Sequence, residues 1–561
     1  MTFGGVTVQR AVPTTMRDGI TLYADLYLPK PEGRYPVLLM RQPYGRAIAS
    51  TVTYAHPVWY ASQGYLVIIQ DVRGRGESEG DFSPFVNEAN DGFDTIEWAA
   101  SLPRSNGRIG MYGFSYQGST QWAAASRGHP ALVAIAPGMC AADLYRGMFY
   151  PHGRFALGDH LPWAFQLARD GALRAGDVEA AHECSQIMRD PSKQLWSMPL
   201  KSRHPILGRY FPAFYDWLEH ESYDEYWRAL DFLSEAVKCP IPALHIAGWY
   251  DPFLMGTLQS YEALQATSLS PGCFHRLVIG PWTHMPWGRK PGGIDHGPEA
   301  YGNHQLEHLR WFDHWLKEEG SKDLYREPAV RYFDLTRNEW REAQTLPPLF
   351  SARSSSSARW YLSGSSLPAN GASGGGRLVK KVAEIAAAAP DVFVYDARLP
   401  MPLSSYLSTD RSAIQDRFEI VVYTSDAFEV DHPMFGSPRL LARVQTMGGP
   451  TDLVAILSVV DERGSARFLS VGRAEIGKSG EVVDTWAEVA IRLRPLGATL
   501  FAGSRLRVEL TGSAFSLFTR HPNGIRGGAH TADDGKLNIA TVALRSAGEE
   551  ISWIEIPLAA G

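Results

Sequence analysis

A serine hydroxyl attacks a carbonyl only when a base takes its proton and an acid orients that base. This chain offers such a set in the order Ser115, Asp251, His284. Ser115 stands in RIGMYGFSYQGSTQW (108–122), which reads as an apolar strand, a tight turn and a small-residue helix. Asp251 directly follows LHIAGWY, and His284 ends LVIGPWTH, so each residue lies just beyond an apolar run. Of the 17 histidines, His245 and His275 fall in or at strands and read as core, whereas His284 falls where a loop base belongs. Taken alone, Asp251 is also a loop aspartate that starts an Asp-Pro turn with Pro252, and Ser115 is also a helix N-cap. The ordered set at successive strand ends is what gives them weight.

A complete G-x-S-x-G occurs elsewhere, at Gly371, Ser373 and Gly375, whereas the Ser115 run has Gln117 at the last position and its glycine one place later, at Gly118. Context favours Ser115. A nucleophile elbow needs a strand before the serine, a helix after it and small neighbours on both sides, and Gly113 and Gly118 supply these. The helix that follows points its N-terminal N–H groups at any oxyanion formed there. Ser373 lies in a Gly/Ser-rich stretch, 351–376, read as loop and linker.

The elements around these residues divide the chain into four segments. Residues 1–140 alternate short apolar strands with helices, the pattern of a mostly parallel sheet covered on both faces. Residues 141–240 are rich in aromatics and helix formers and read as a helical insertion. The sheet pattern resumes over 241–350 with PALHIAGWYD, HRLVIGPWTH and the helix NHQLEHLRWFDHWLKEE. From 351 to 561 short alternating or β-branched runs separated by turns predict a β-sandwich or jelly roll.

The 561 residues exceed what one hydrophobic core serves, and a net charge of -6 with no basic block excludes nucleic acid as an expected partner. No signal-like head and no apolar stretch near ~20 residues is present, so no membrane association and a cytoplasmic location are expected. Cys140, Cys184, Cys239 and Cys273 are too scattered for a zinc site and read as buried free thiols.

The runs VLLMRQPYG, VIIQDVRGRGESEG, GMYGFSYQGSTQW, ADLYR, AGWYDPF, VIGPWTH and GSAFSLFTRHPN, in this order along nearly the whole chain, resemble the cocaine esterase and X-Pro dipeptidyl-peptidase (CocE/NonD) branch of the α/β-hydrolases. The elbow of that family commonly reads G-x-S-Y-x-G, which accounts for the displaced Gly118. The resemblance implies an α/β fold: an α/β-hydrolase domain with an inserted helical cap, followed by a C-terminal β jelly-roll domain. It implies Ser115 as acylated nucleophile, His284 as general base and acid, and Asp251 as orienting carboxylate. It places the oxyanion between the backbone N–H of Tyr116 and the phenol of Tyr44, lines the acyl pocket with Phe149 and Phe253, and calls for no metal or organic cofactor. Trp163 is a further aromatic candidate for substrate contact.

The expected partner is a small ester or amide. Amino-acid ester hydrolases and X-Pro peptidases need an anionic grip on the substrate's ammonium, and here Pro252 and Phe253 occupy the stretch beside Asp251. Asp159 keeps the X-Pro peptidase and α-amino acid ester hydrolase or acylase readings open. So does a binding protein on an inactive hydrolase scaffold remain an alternative of a different class. Oligomeric state is left open, a homodimer included.

Overall fold

Runs that are apolar on both faces, such as YPVLLMRQ and LVIIQD, must be covered on both sides, and the computed structural model buries them throughout. It describes residues 2–3, 5–30, 32–47, 53–267, 274–317, 324, 326–349, 357–386, 389–477, 485–524, 530–546 and 551–559. The chain divides into two compact units. The first comprises Met1–Met148, Tyr223–Asp334 and Asn338–Leu346, and the second Phe149–Ser222, Leu335–Arg337 and Pro347–Gly561.

The first unit is built on one sheet of strands β1 (Thr2–Phe3), β2 (Val6–Thr15), β3 (Thr21–Pro29), β4 (Tyr35–Gln42), β5 (Leu66–Asp71), β6 (Ser105–Phe114), β7 (Leu132–Gly138), β8 (Ala243–Gly248), β9 (His275–Gly280), β10 (Val330–Asp334) and β11 (Glu339–Ala343), in the order β1-β2-β3-β5-β4-β6-β7-β8-β9-β10-β11. Pairing is parallel from β5 through β10 and antiparallel at both flanks. The register keeps the carboxyl ends of the central strands level: Phe114 pairs with Gly138, Gly138 with Ile246, and Gly248 with Gly280. In such a sheet the loops beyond those ends form the binding edge. Helices α1 (Pro57–Ser62), α2 (Glu88–Ser101) and α3 (Tyr116–Ala125) follow β4, β5 and β6. All ten residues of α3 are buried, Tyr116 and Trp122 among them. A Cβ on Gly92 of α2 would stand 2.9 Å from Ala124 Cβ, so the two helices pack at glycine distance.

The second unit combines helices, among them Leu157–Arg174 and Val178–Arg189, with an all-β part. Strand Thr451–Val460 shows why TDLVAILSVV is an unbroken apolar run: Leu453, Ala455 and Leu457 enter one core, and Val454 and Ile456 another. Arg154 Nη2 donates to Asp452 Oδ1 at 2.9 Å, Arg473 also pairs with Asp452, and Arg473 Nη1 donates to the His152 carbonyl at 3.1 Å. Burial alone raises the Asp452 carboxyl; the two guanidinium groups outweigh it and hold Asp452 well below the usual carboxylate range. Glu475 and His521 lie beside Asp452, but with two arginines engaged the cluster is an ion-pair network that ties 152–154 to the β part.

Two expectations need correction. Strand Ser357–Ser363 lies inside the stretch read as linker and pairs with Trp553–Pro557; its alternation, with Trp360 and Leu362 buried, is masked by the surrounding serines, and 351–356 lie outside the described residues. Cys140 and Cys184 are buried, but Cys239 is exposed, three residues past helix Leu233–Ala236 and just before the chain enters β8. Cys273 lies outside the described residues. Among the described residues no helix is long and apolar enough to cross a membrane.

Burial also fixes a pH dependence. It pushes His304 and His308 down to about 3 and His275 down to about 4, from an ordinary value of 6.5. Between those values the unfolded chain binds more protons than the folded one. Stability is therefore full above about pH 6.5 and falls as the pH drops, by up to about 1.4 kcal/mol per pH unit for each such histidine. The urea midpoint is expected to fall between pH 7 and pH 5, less steeply in His308→Gln; an unchanged slope would assign the acid sensitivity to other groups.

Candidate active site

Ser115 occupies the single position between β6 and α3, with φ 61 and ψ -129. A non-glycine residue at positive φ costs ~1–3 kcal/mol and persists only where its surroundings over-determine it. The surroundings are specific. Ser115 N–H donates to the Gly138 carbonyl of β7 at 2.9 Å, and its own carbonyl accepts from Gly118 N–H at 2.9 Å and Ser119 N–H at 3.0 Å. Gly113 is at φ 137, and a Cβ there would meet Gln117 Cβ at 2.5 Å; a Cβ on Gly118 would meet Cys140 Sγ at 2.5 Å. Both flanking glycines are therefore required by close approach.

His284 lies four residues beyond β9 and Asp251 three beyond β8. His284 Nε2 is 2.9 Å from Ser115 Oγ, and Nδ1 is 2.7 Å from Asp251 Oδ1. An ionised carboxylate only accepts, so Nδ1 carries the proton toward Asp251 and Nε2 is left to accept from the serine hydroxyl. Asp251 is fully buried while the His284 side chain is 24% exposed, which leaves the imidazole within reach of solvent. The ring is braced by Phe253, edge-on at 5.0 Å, and by Phe114 at 5.5 Å, and the Trp287 indole donates to the His284 carbonyl at 3.0 Å. Such an arrangement can pass a proton from Ser115 Oγ to Nε2 and stabilise the resulting imidazolium.

Tyr44 lies two residues past β4, half-buried. β4 is the parallel neighbour of β6, with Leu39 opposite Met111, so Tyr44 is at the same sheet edge as Ser115. Tyr116 opens α3, and its side chain is locked: the hydroxyl donates to Glu88 Oε1 at 2.8 Å and accepts from Phe85 N–H at 3.0 Å, while the ring stacks on Phe85 at 4.3 Å. Glu88 is itself held by Arg41 Nη1 at 2.8 Å. Glu88, Phe85 and Trp287 escaped the sequence reading; a glutamate opening a helix reads as an ordinary first-turn acid. Phe149 and Trp163 belong to the second unit, where Phe149 packs on His160 at 4.4 Å and on Trp217 at 4.6 Å, and Trp163 stacks on Trp217 at 5.4 Å. Asp159 is in the first turn of the same helix as Trp163. His245 and His275 are buried in their strands, and Ser373 is in an exposed turn.

Residues 18–286 match the X-Pro dipeptidyl-peptidase (S15) family, and residues 323–546 match the X-Pro dipeptidyl-peptidase C-terminal non-catalytic domain. The cocaine esterase of Rhodococcus sp. (strain MB1 Bresler) is 31% identical over 93% of this chain and 94% of its own. The chain belongs to this cocaine esterase and X-Pro dipeptidyl-peptidase family. It is a serine-type esterase or peptidase of the S15 family. The fold agrees. An α-amino acid ester hydrolase superposes with a TM-score of 0.78 at 21% identity, covering 99% of this chain and 97% of that one. A CocE/NonD family hydrolase from Staphylococcus aureus gives 0.68 at 20% identity, covering 99% and 94%.

In this S15 chain the tight elbow makes a direct test available. Gly113→Ala adds a Cβ into the 2.5 Å approach of Gln117 at a φ that side chains avoid. It is expected to destabilise the protein by roughly 1–3 kcal/mol, the range for overpacking, read as a shift in urea midpoint; an unshifted midpoint would show that the turn is not close-packed.

Proposed function

We propose that the chain hydrolyses small carboxylic esters through a covalent acyl-enzyme on Ser115. His284 acts as general base in acylation and as general acid toward the leaving group, and Asp251 orients the imidazole and stabilises its charged form. The observation that carries this reading is the continuous bridge Asp251–His284–Ser115, at 2.7 and 2.9 Å, on three different loops. The backbone N–H of Tyr116 and the phenol of Tyr44 are the oxyanion donors. A phenol with pKa of about 10 stays a neutral donor at pH 7. Water then attacks the acyl carbonyl, and His284 takes the proton of that water in turn.

The substrates favoured are neutral esters with an aryl or hydrophobic acyl group. Phe253 stands against the imidazole at the position after Asp251-Pro252, and an ammonium placed beside that ring would lose hydration with no carboxylate from this stretch to replace it. The match to X-Pro dipeptidyl-peptidases supports a second reading, hydrolysis of Xaa-Pro peptides, for which Asp159 is the residue to mutate first.

Purified protein is expected to turn over p-nitrophenyl benzoate faster than an α-amino acid ester or an Xaa-Pro anilide. Ser115→Ala and His284→Ala should each lower kcat by ~10⁴ or more, and the double variant should fall no further, since the residues act as one unit. Ser373→Ala should leave turnover unchanged. A folded Ser115→Ala protein with wild-type kcat would end the proposal, and a tenfold preference for the Xaa-Pro anilide over both esters would replace the ester reading with the peptidase one.

A further inference from the structure

The run DVRGRGESEG, Asp71 to Gly80, supplies none of the groups described above, yet its first residue reaches toward one of them. Asp71 ends β5, which pairs in parallel with β4 so that Asp71 is opposite Gln42, two residues before Tyr44. Its carboxylate is 1% exposed. Oδ1 accepts the backbone N–H of Arg46 at 2.6 Å, and Oδ2 accepts Arg46 Nη1 at 2.5 Å. On the other side, Tyr44 N–H donates to Gln42 Oε1 at 2.9 Å, and Gln42 Nε2 lies 3.5 Å from Asp71 Oδ1. Tyr44 is thus held between two residues that both lead back to one carboxylate.

The remainder of the run shapes this contact. A Cβ on Gly76 would stand 1.9 Å from Asp71 Oδ2, so the carboxylate rests against bare backbone there. Ser78 Oγ donates to the Asp71 carbonyl at 2.8 Å and accepts from Tyr23 N–H at 3.0 Å, pinning the turn to β3. The guanidinium of Arg46 also reaches Asp25 Oδ1 at 2.8 Å and pairs with Glu77. Two buried carboxylates therefore grip the loop just after Tyr44.

We infer that Asp71 and Arg46 are a positioning pair for the reaction, fixing the loop 43–46 so that the Tyr44 phenol is pre-set for the oxyanion. The inference rests on the reading of Tyr44 as oxyanion donor. Its physical basis is that a donor stabilises developing charge only when it needs no reorganisation at the moment of reaction, and that a misplacement near 1 Å costs ~10² in rate.

A double-mutant cycle with Tyr44→Phe tests it. Tyr44→Phe alone should lower kcat by roughly 10²–10³ with little change in KM. Asp71→Asn places an amide N–H against Arg46 Nη1; it should lower kcat by ~10-fold or more with KM little changed when Tyr44 is present, and by less than about twofold in the Tyr44→Phe background. Arg46→Lys keeps the charge and loses the fork, and should show the same dependence on Tyr44, so it serves if Asp71→Asn does not fold. Equal losses in both backgrounds, or no loss in either, would make the pair a fold-stabilising one and overturn the inference while the Tyr44 reading stands. Full activity in Tyr44→Phe would overturn both.

Discussion

Ser115 can stand above the sheet only because nothing larger than hydrogen occupies Gly113 and Gly118. The first glycine lets the chain turn against Gln117, and the second lets α3 approach Cys140, two residues past β7. From that constraint the rest of the site follows. The serine backbone is forced to positive φ, its carbonyl begins the hydrogen bonding of α3, and its hydroxyl meets an imidazole carried by a strand three places away in the sheet. The meeting requires level strand ends, which the pairing of Phe114, Gly138, Ile246, Gly248 and Gly280 provides.

Around this edge, buried charge serves geometry. Glu88 links Arg41 to the Tyr116 side chain, and Asp71 links Arg46 to the Tyr44 loop. A buried ion pair is weak evidence for stability, because desolvation offsets much of the attraction. Its use lies in direction: breaking either pair leaves a charge uncompensated, so each loop is confined to one arrangement. Glu88 holds Tyr116 directly, and Asp71 holds Gln42 and Arg46 on either side of Tyr44, so each carboxylate anchors a segment proposed to donate a hydrogen bond to the oxyanion, which is where such confinement counts most.

Much of this was legible in the sequence, for identifiable reasons. Ser115, Asp251 and His284 each follow an apolar run long enough to be a buried strand, and strand ends in a parallel sheet gather at one edge. Ser373, with the better local pattern, lacked the strand and the helix and lies in an exposed turn. Strands β1, β2, β10 and β11 carry no such apolar run. VTVQRAVPTT and EWREA are largely exposed or half-buried, and VRYFD places a charged residue inside a short run. The strand Ser357–Ser363 was hidden by the serines and glycines around it. Asp71 and Glu88 were illegible as anchors because their partners lie 25 and 28 residues away, across the sheet or helix packing; only the fold brings them together.

The central claim is that one serine is activated by one histidine on a buried aspartate, and covalent capture tests it without any assumption about substrate. Purified protein treated with a fluorophosphonate should gain one adduct, located by mass spectrometry on Ser115 in the tryptic peptide Ile109–Arg127. Labelling should slow by ~10³ or more in Asp251→Asn, where the imidazole is held in the wrong tautomer. An adduct on any other residue, or labelling of Ser115 at an unchanged rate in Asp251→Asn, would contradict the account.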